Sequence, residues 1–264
     1  MTHRLVANES VMGTVMSLHI IGPEVETPII AAAIAAVQQR LHDDETLFSP
    51  FRSDSQISLL RVGKLLLPDA DPRVQLVASE CEAWRERTQG RFDPWWEGWL
   101  NPTGLVKGWS VENAFSAHLV QLLNEPEVVA VGLNLGGDLR VATKPGESWT
   151  WTVGIADPAN PVGVVERLEL QNGAVASSGT AMRGEHIIDP ATSLPAALTG
   201  AHDDVASATV VAQTLDVADV WATTAVVAGF DDLTWADEAD VELVYLIAGD
   251  GRVRSWPEGS VLPR

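Results

Sequence analysis

His186 and Asp189 are three residues apart, in the run Ser177-Ser178-Gly179-Thr180-Ala181-Met182-Arg183-Gly184-Glu185-His186-Ile187-Ile188-Asp189-Pro190. An imidazole and a carboxylate near one another can orient or deprotonate a hydroxyl. In an extended segment this spacing puts them on opposite faces, so a tight bend at Asp189-Pro190 is needed to bring both to one ligand. The small residues before them let backbone amides approach a phosphate or a flat ring closely. Taken alone, the run also describes a strand ending in an Asp-Pro turn.

Asp219 and Thr223, in Asp219-Val220-Trp221-Ala222-Thr223, are four apart on an expected helix, so their oxygens face the same way. A carboxylate, a hydroxyl and a nearby carbonyl make an all-oxygen set suited to Mg²⁺ rather than Zn²⁺. In Asn101-Pro102-Thr103-Gly104-Leu105-Val106-Lys107-Gly108 a turn brings Lys107 to the start of a helix. Cations are disfavoured at that end, so a lysine beside free amides points to a shared anion.

Three further segments suit a planar ligand. Phe51 and Arg52 lie in a turn, where a ring can stack and a guanidinium can hold charge. Gly90-Arg91-Phe92-Asp93-Pro94 leads directly into Trp95, Trp96 and Trp99, which could wall a pocket. Met12-Gly13-Thr14 opens a strand, with glycine allowing close approach and Met able to lie on an aromatic face. Asn134-Leu135-Gly136-Gly137-Asp138 reads on its own as a hairpin turn.

The elements that must position these residues are legible in outline. Thr27-Pro28 and Asp71-Pro72 are helix starts, followed by Ile30, Ile34, Val37, Leu41 and by Val77, Cys81, Trp84 at helical spacing. A third helix is expected over about 107–123, with Val111, Phe115, Leu119 and Leu122 inward, and a fourth from near Leu215 to Gly229. Strands are expected over 14–21, 128–133, 149–156, 164–170, 205–212 and 241–247. Their clustering favours α+β with largely antiparallel sheets. No dinucleotide or P-loop fingerprint follows a strand.

A chain of 264 residues, 46% hydrophobic, can bury a sizeable core in one domain spanning 1–264. A formal net charge of −19 argues against nucleic acid and anionic membranes as partners. No apolar run of transmembrane length is present, so membrane insertion is not expected. The first residues lack signal-peptide character, and a cytoplasmic location is the simplest expectation. The lone Cys81 excludes an internal disulfide and falls at a core position.

In their order and spacing, these segments from Met12 to Gly229 resemble the ApbE family, the FAD:protein FMN transferases. The resemblance implies a T-fold-related α+β protein that uses Mg²⁺ to cleave FAD and pass FMN to a Ser or Thr hydroxyl of an acceptor protein, releasing AMP. It places Met12, Phe51, Arg91, Phe92, Asp93, Asn101, Lys107 and Ile188 at the flavin nucleotide. Phe51 stands where the family often has a Tyr. The metal would be held by the Gly104 carbonyl, Asp219 and Thr223, with Ala222 at a position that contacts metal in some members. His186 and Asp189 are the catalytic candidates, and the sequence does not choose between them. Two positions depart from the family: Asn101 replaces an Asp, and Ser193-Leu194 stands where a Gly turns the chain, implying a loop change. The same site would serve a Mg²⁺-dependent FAD pyrophosphatase or a non-catalytic FAD-binding protein.

Overall fold

In a computed structural model, residues 2–179, 187–196 and 205–259 are described. Helices α1 (Pro28–Phe48), α2 (Gln56–Arg61), α3 (Pro72–Arg87), α4 (Thr103–Ala114) and α5 (Leu215–Ala228) accompany twelve strands among these residues. The strands are β1 (His3–Val11), β2 (Thr14–Gly22), β3 (Ala130–Leu135), β4 (Asp138–Thr143), β5 (Trp151–Asp157), β6 (Asn160–Leu170), β7 (Gly173–Gly179), β8 (Ile188–Asp189), β9 (Leu194–Pro195), β10 (Val205–Ala212), β11 (Val241–Ala248) and β12 (Val253–Trp256). Eight of them form one sheet in the order β1-β2-β3-β4-β7-β10-β11-β12, antiparallel at every junction. The fold is α+β, as the clustering of strands implies.

The two faces of this sheet are covered differently. Ala174, Ala176, Val210 and Ala212 turn toward the helices, while Val175 and Val211 turn toward the β5–β6 hairpin with Ile155 and Leu168. This is the period-two alternation of a sheet packed on both faces. Small residues dominate the helix-facing side of β7, and α5 lies close against it.

The expected helix starts are realised. Thr27 accepts from the Ile30 amide (3.4 Å) and Asp71 from the Arg73 amide (2.8 Å), each followed by a proline in the first turn. Helix α4 begins at Thr103, one turn before the expected start, and passes through a π turn at Phe115–Leu119 into a 3₁₀ stretch at Val120–Asn124. Val111, Phe115, Leu119 and Leu122 are nevertheless all buried. Ser193 adopts the left-handed conformation (φ 59°) that favours glycine, and its amide donates to the Asp189 carbonyl (2.8 Å).

Gly108 sets how closely α4 and α5 pass. A Cβ there would lie 2.8 Å from the Leu215 carbonyl oxygen and 2.9 Å from the Asp219 Cβ. Both helices would have to separate. Alanine gains about 1 kcal/mol of helix propensity over glycine, but overpacking costs about 1–3 kcal/mol. Gly108→Ala is therefore expected to lower the unfolding free energy in denaturant titrations rather than raise it.

Candidate active site

Where α4, α5, the 88–101 loop and the turn after Phe48 meet, a cleft of about 570 Å³ opens. Its lining includes Phe51, Arg91, Phe92, Asp93, Asn101, Gly104, Lys107, Ile188, Asp219 and Thr223. Segments scattered over the chain therefore converge on one space, as their chemistry requires.

The floor is a buried charge cluster. Asp219 is 3% exposed; its Oδ2 accepts the Gly108 amide at 3.0 Å and its Oδ1 lies 3.4 Å from the Lys107 Nζ. Lys107 makes its closer contact with the Asp138 carboxylate, which is also buried. Asp138 Oδ1 in turn accepts the Ser177 amide at 3.1 Å. Burial pushes the Asp219 carboxyl up to about 7, with Lys107 opposing the rise and Asp138 adding to it. Thr223 lies one helical turn beyond Asp219, its Oγ1 3.2 Å from the Ser178 Oγ.

Lys107 and Met12 sit differently from the other candidates. Lys107 is not at the helix start beside free amides but on the second turn of α4, held by two carboxylates. Met12 does not line the cleft. It occupies the two-residue β1–β2 turn with Gly13, both at positive φ (53° and 69°), and packs against the core.

The 88–94 loop is held from within. The buried Thr88 hydroxyl accepts the Phe92 amide (3.1 Å) and donates to the Trp84 carbonyl (2.8 Å), while Gln89 and Gly90 reverse the chain at positive φ. Arg91 pairs with Asp232 at 2.7 Å. Asp93 accepts the Trp95 amide (2.8 Å) and lies 3.3 Å from the Arg85 Nε. Phe92 packs so close to Gly104 that a Cβ there would lie 2.8 Å from its ring. Asn101 accepts the Thr103 amide (3.3 Å) and hydroxyl (2.5 Å) and donates to Glu97 (3.0 Å), so it shapes the entry into α4.

The rim is aromatic. Phe51 is 94% exposed, and Trp96 and Trp99 line the same side, with the Arg61 guanidinium 4.3 Å over the Trp99 ring. Trp95 packs into the core instead. The Asp189 carboxylate closes its own turn, accepting from the Ala191 amide (2.9 Å) and the Thr192 hydroxyl (3.1 Å), while its neighbours Ile188 and Pro190 line the cleft. His186 lies outside the described residues.

Sequence reasoning missed Asp138. Its Gly-Gly-Asp context is a real hairpin turn, with Gly136 and Gly137 at positive φ, and this masks the carboxylate's second role. The available signal was strand alternation: Asp138, Arg140 and Ala142 share the helix-facing side of β4.

The ApbE family model matches residues 96–245, more than half of the chain and most of this cleft. The chain belongs to the ApbE family. Its fold matches the ApbE protein of Thermotoga maritima MSB8 at a TM-score of 0.75, with 20% identity over 96% of each chain. The flavin transferase ApbE of Vibrio cholerae matches at 0.73, with 18% identity over 97% of each chain. The flavinyl transferase ApbE of Pseudomonas stutzeri, in its apo form, matches at 0.71, with 18% identity over 96% of this chain and 94% of that one. A comparison with curated protein sequences gives no match.

The raised Asp219 carboxyl has a thermodynamic signature. A carboxyl whose folded value lies near 7, against 3.8 ordinarily, stabilises the fold fully below about pH 4 and loses that contribution as pH rises toward 7. Asn at this position does not titrate and still accepts the Gly108 amide. Without added metal, the unfolding free energy of Asp219→Asn is expected to gain on wild type between pH 4 and 7. Parallel pH profiles for the two would contradict this.

Proposed function

We propose that this chain is an FAD:protein FMN transferase, moving FMN from FAD to a Ser or Thr hydroxyl of an acceptor protein in a Mg²⁺-dependent reaction that releases AMP. The observation that carries the reading is one cleft with an exposed aromatic rim at Phe51 and a floor where the buried Asp219 meets the half-buried Thr223 and Lys107. Flat rings and phosphates need those two environments side by side.

The donor set on the floor fits a hard divalent cation. Asp219 and Thr223 supply side-chain oxygens from successive turns of α5, and Gly104 supplies a backbone carbonyl. Gly108 is the residue whose amide pairs with the Gly104 carbonyl in a regular helix. Here that amide also donates to Asp219, which favours a carbonyl with capacity to spare. Among the described residues the cluster sets two carboxyl groups against one ammonium and can accommodate added positive charge. When bound, Mg²⁺ would offset charge on the phosphates and on the departing AMP.

The chain's own residues account for the rest. The Phe51 ring presents an open face for the isoalloxazine. Arg91, Phe92 and Asp93, fixed by Thr88, form one wall of the nucleotide site. Lys107 places an ammonium at the phosphates, which matters on a chain of net charge −19. The acceptor hydroxyl oxygen bonds to the FMN-side phosphorus as the phosphorus–oxygen bond to AMP breaks, and the hydroxyl proton passes to a base. His186 is favoured for that proton over Asp189, whose carboxylate is engaged in its own turn. Asn101 retains a carbonyl oxygen where the family has a carboxylate, at the cost of one negative charge.

Mass spectrometry of the protein with FAD, Mg²⁺ and a Ser/Thr-containing acceptor peptide tests this reading. The expected result is peptide heavier by FMN less water, with AMP released. AMP and free FMN without an adduct would make the chain a pyrophosphatase instead, and intact FAD would make it a binding protein. Asp219→Ala is expected to lower transfer by about two orders of magnitude. Phe51→Ala is expected to raise the KM for FAD about three- to tenfold, the worth of one ring stack. Its Tm should not move, because the ring is 94% exposed.

A further inference from the structure

We infer that Asp138 is a positioning residue that draws the Lys107 ammonium away from Asp219 and so keeps an Asp219 oxygen available to the cation. The inference rests on the metal-dependent reading above. It concerns a residue that does not line the cleft and whose segment reads on its own as a hairpin turn.

The geometry is directional. Asp138 is 1% exposed and sits at the first position of β4, where the preceding Gly136-Gly137 turn fixes its backbone. One of its oxygens takes the Ser177 amide from β7, so the carboxylate cannot rotate without breaking a hydrogen bond between two central strands. Its other oxygen faces Lys107, in the closest ion pair of the cluster. Asp219 is held from the opposite side. Its Oδ2 takes the Gly108 amide, and its Oδ1 lies at 3.4 Å from the ammonium, beyond a good charge-assisted hydrogen bond.

Lys107 thus has two buried carboxylates within reach and is drawn to the one that lies outside the cleft lining. If Asp138 were neutral, the ammonium would pair fully with Asp219. A neutral Lys107–Asp219 pair would then compete with a cation for the same oxygen. The wild-type arrangement avoids this, because Lys107 stays closer to Asp138 and Asp219 is only loosely engaged.

Mg²⁺ binding to the metal-stripped full-length protein, by calorimetry with and without FAD, tests the inference. Asp138→Asn preserves the oxygen that accepts the Ser177 amide and is expected to fold, with binding about tenfold weaker than wild type, the usual scale for a residue supporting a metal ligand. Lys107→Met removes the competitor and is expected to bind Mg²⁺ more tightly than wild type. In the Lys107→Met background, Asp138→Asn removes only a distant negative charge and is expected to cost at least threefold less than it does with Lys107 present. Equal losses in the two backgrounds would overturn the positioning role, as would unchanged binding in Asp138→Asn. Absence of Mg²⁺ binding by wild type in both conditions would overturn the metal reading itself, and this inference with it.

Discussion

The cleft depends on the placement of two carboxylates and one ammonium below its surface, at the crossing of α4 and α5. Asp138, Lys107 and Asp219 come from a strand and two helices, and each is nearly or largely removed from water. Burying such groups is costly unless their partners are supplied. The structure supplies them from the backbone: the Ser177 amide to Asp138 and the Gly108 amide to Asp219. Gly108 makes this possible, because only a residue without a Cβ lets its amide reach across to the neighbouring helix.

A second ion pair fixes the same register. Five residues beyond Lys107, Glu112 pairs with Arg140 at 2.8 Å, two residues beyond Asp138. The order of charges is thus reversed along the strand relative to the helix. Sliding α4 along β4 would bring like charges together, so the two pairs specify one alignment. Glu112 also accepts the Leu215 amide at 2.9 Å, capping the start of α5. One side chain therefore ties both helices to the sheet and sets where Asp219 and Thr223 fall.

How much of this could be read in the sequence follows from what each element buries. The bounds of β10 are legible because Val205–Ala212 is rich in β-branched residues and mostly buried. The caps of α1 and α3 are legible because cap chemistry is local. Strands β1, β4 and β7 were not anticipated. β1 is an edge strand with polar residues facing water, and β7 is short of large apolar residues, with only Ala174 and Ala176 on the side packed by α5 and Val175 toward the β5–β6 hairpin. In the candidate site, Arg91 to Asp93, Asn101, Lys107, Asp219 and Thr223, whose chemistry is carried by local motifs, converge on the cleft, whereas Met12 does not. Asp138 does not announce itself, since its role appears only when β4 is laid against α4.

The same reasoning connects global charge to the local site. A chain of net charge −19 repels a dinucleotide at long range, so attraction must come from groups at the cleft itself. Among the described residues, Arg61, Arg91 and Lys107 are the basic side chains that line it, and each is restrained. Arg61 lies over Trp99, Arg91 is paired with Asp232, and Lys107 is shared by two carboxylates. Arg91 and Lys107 thus meet a polyanion with carboxylates already beside them. On the metal-dependent reading proposed above, a cation beside Asp219 would add the positive charge that these two do not supply in full. On that reading phosphate binding turns on the buried Asp219 carboxylate as well as on Lys107.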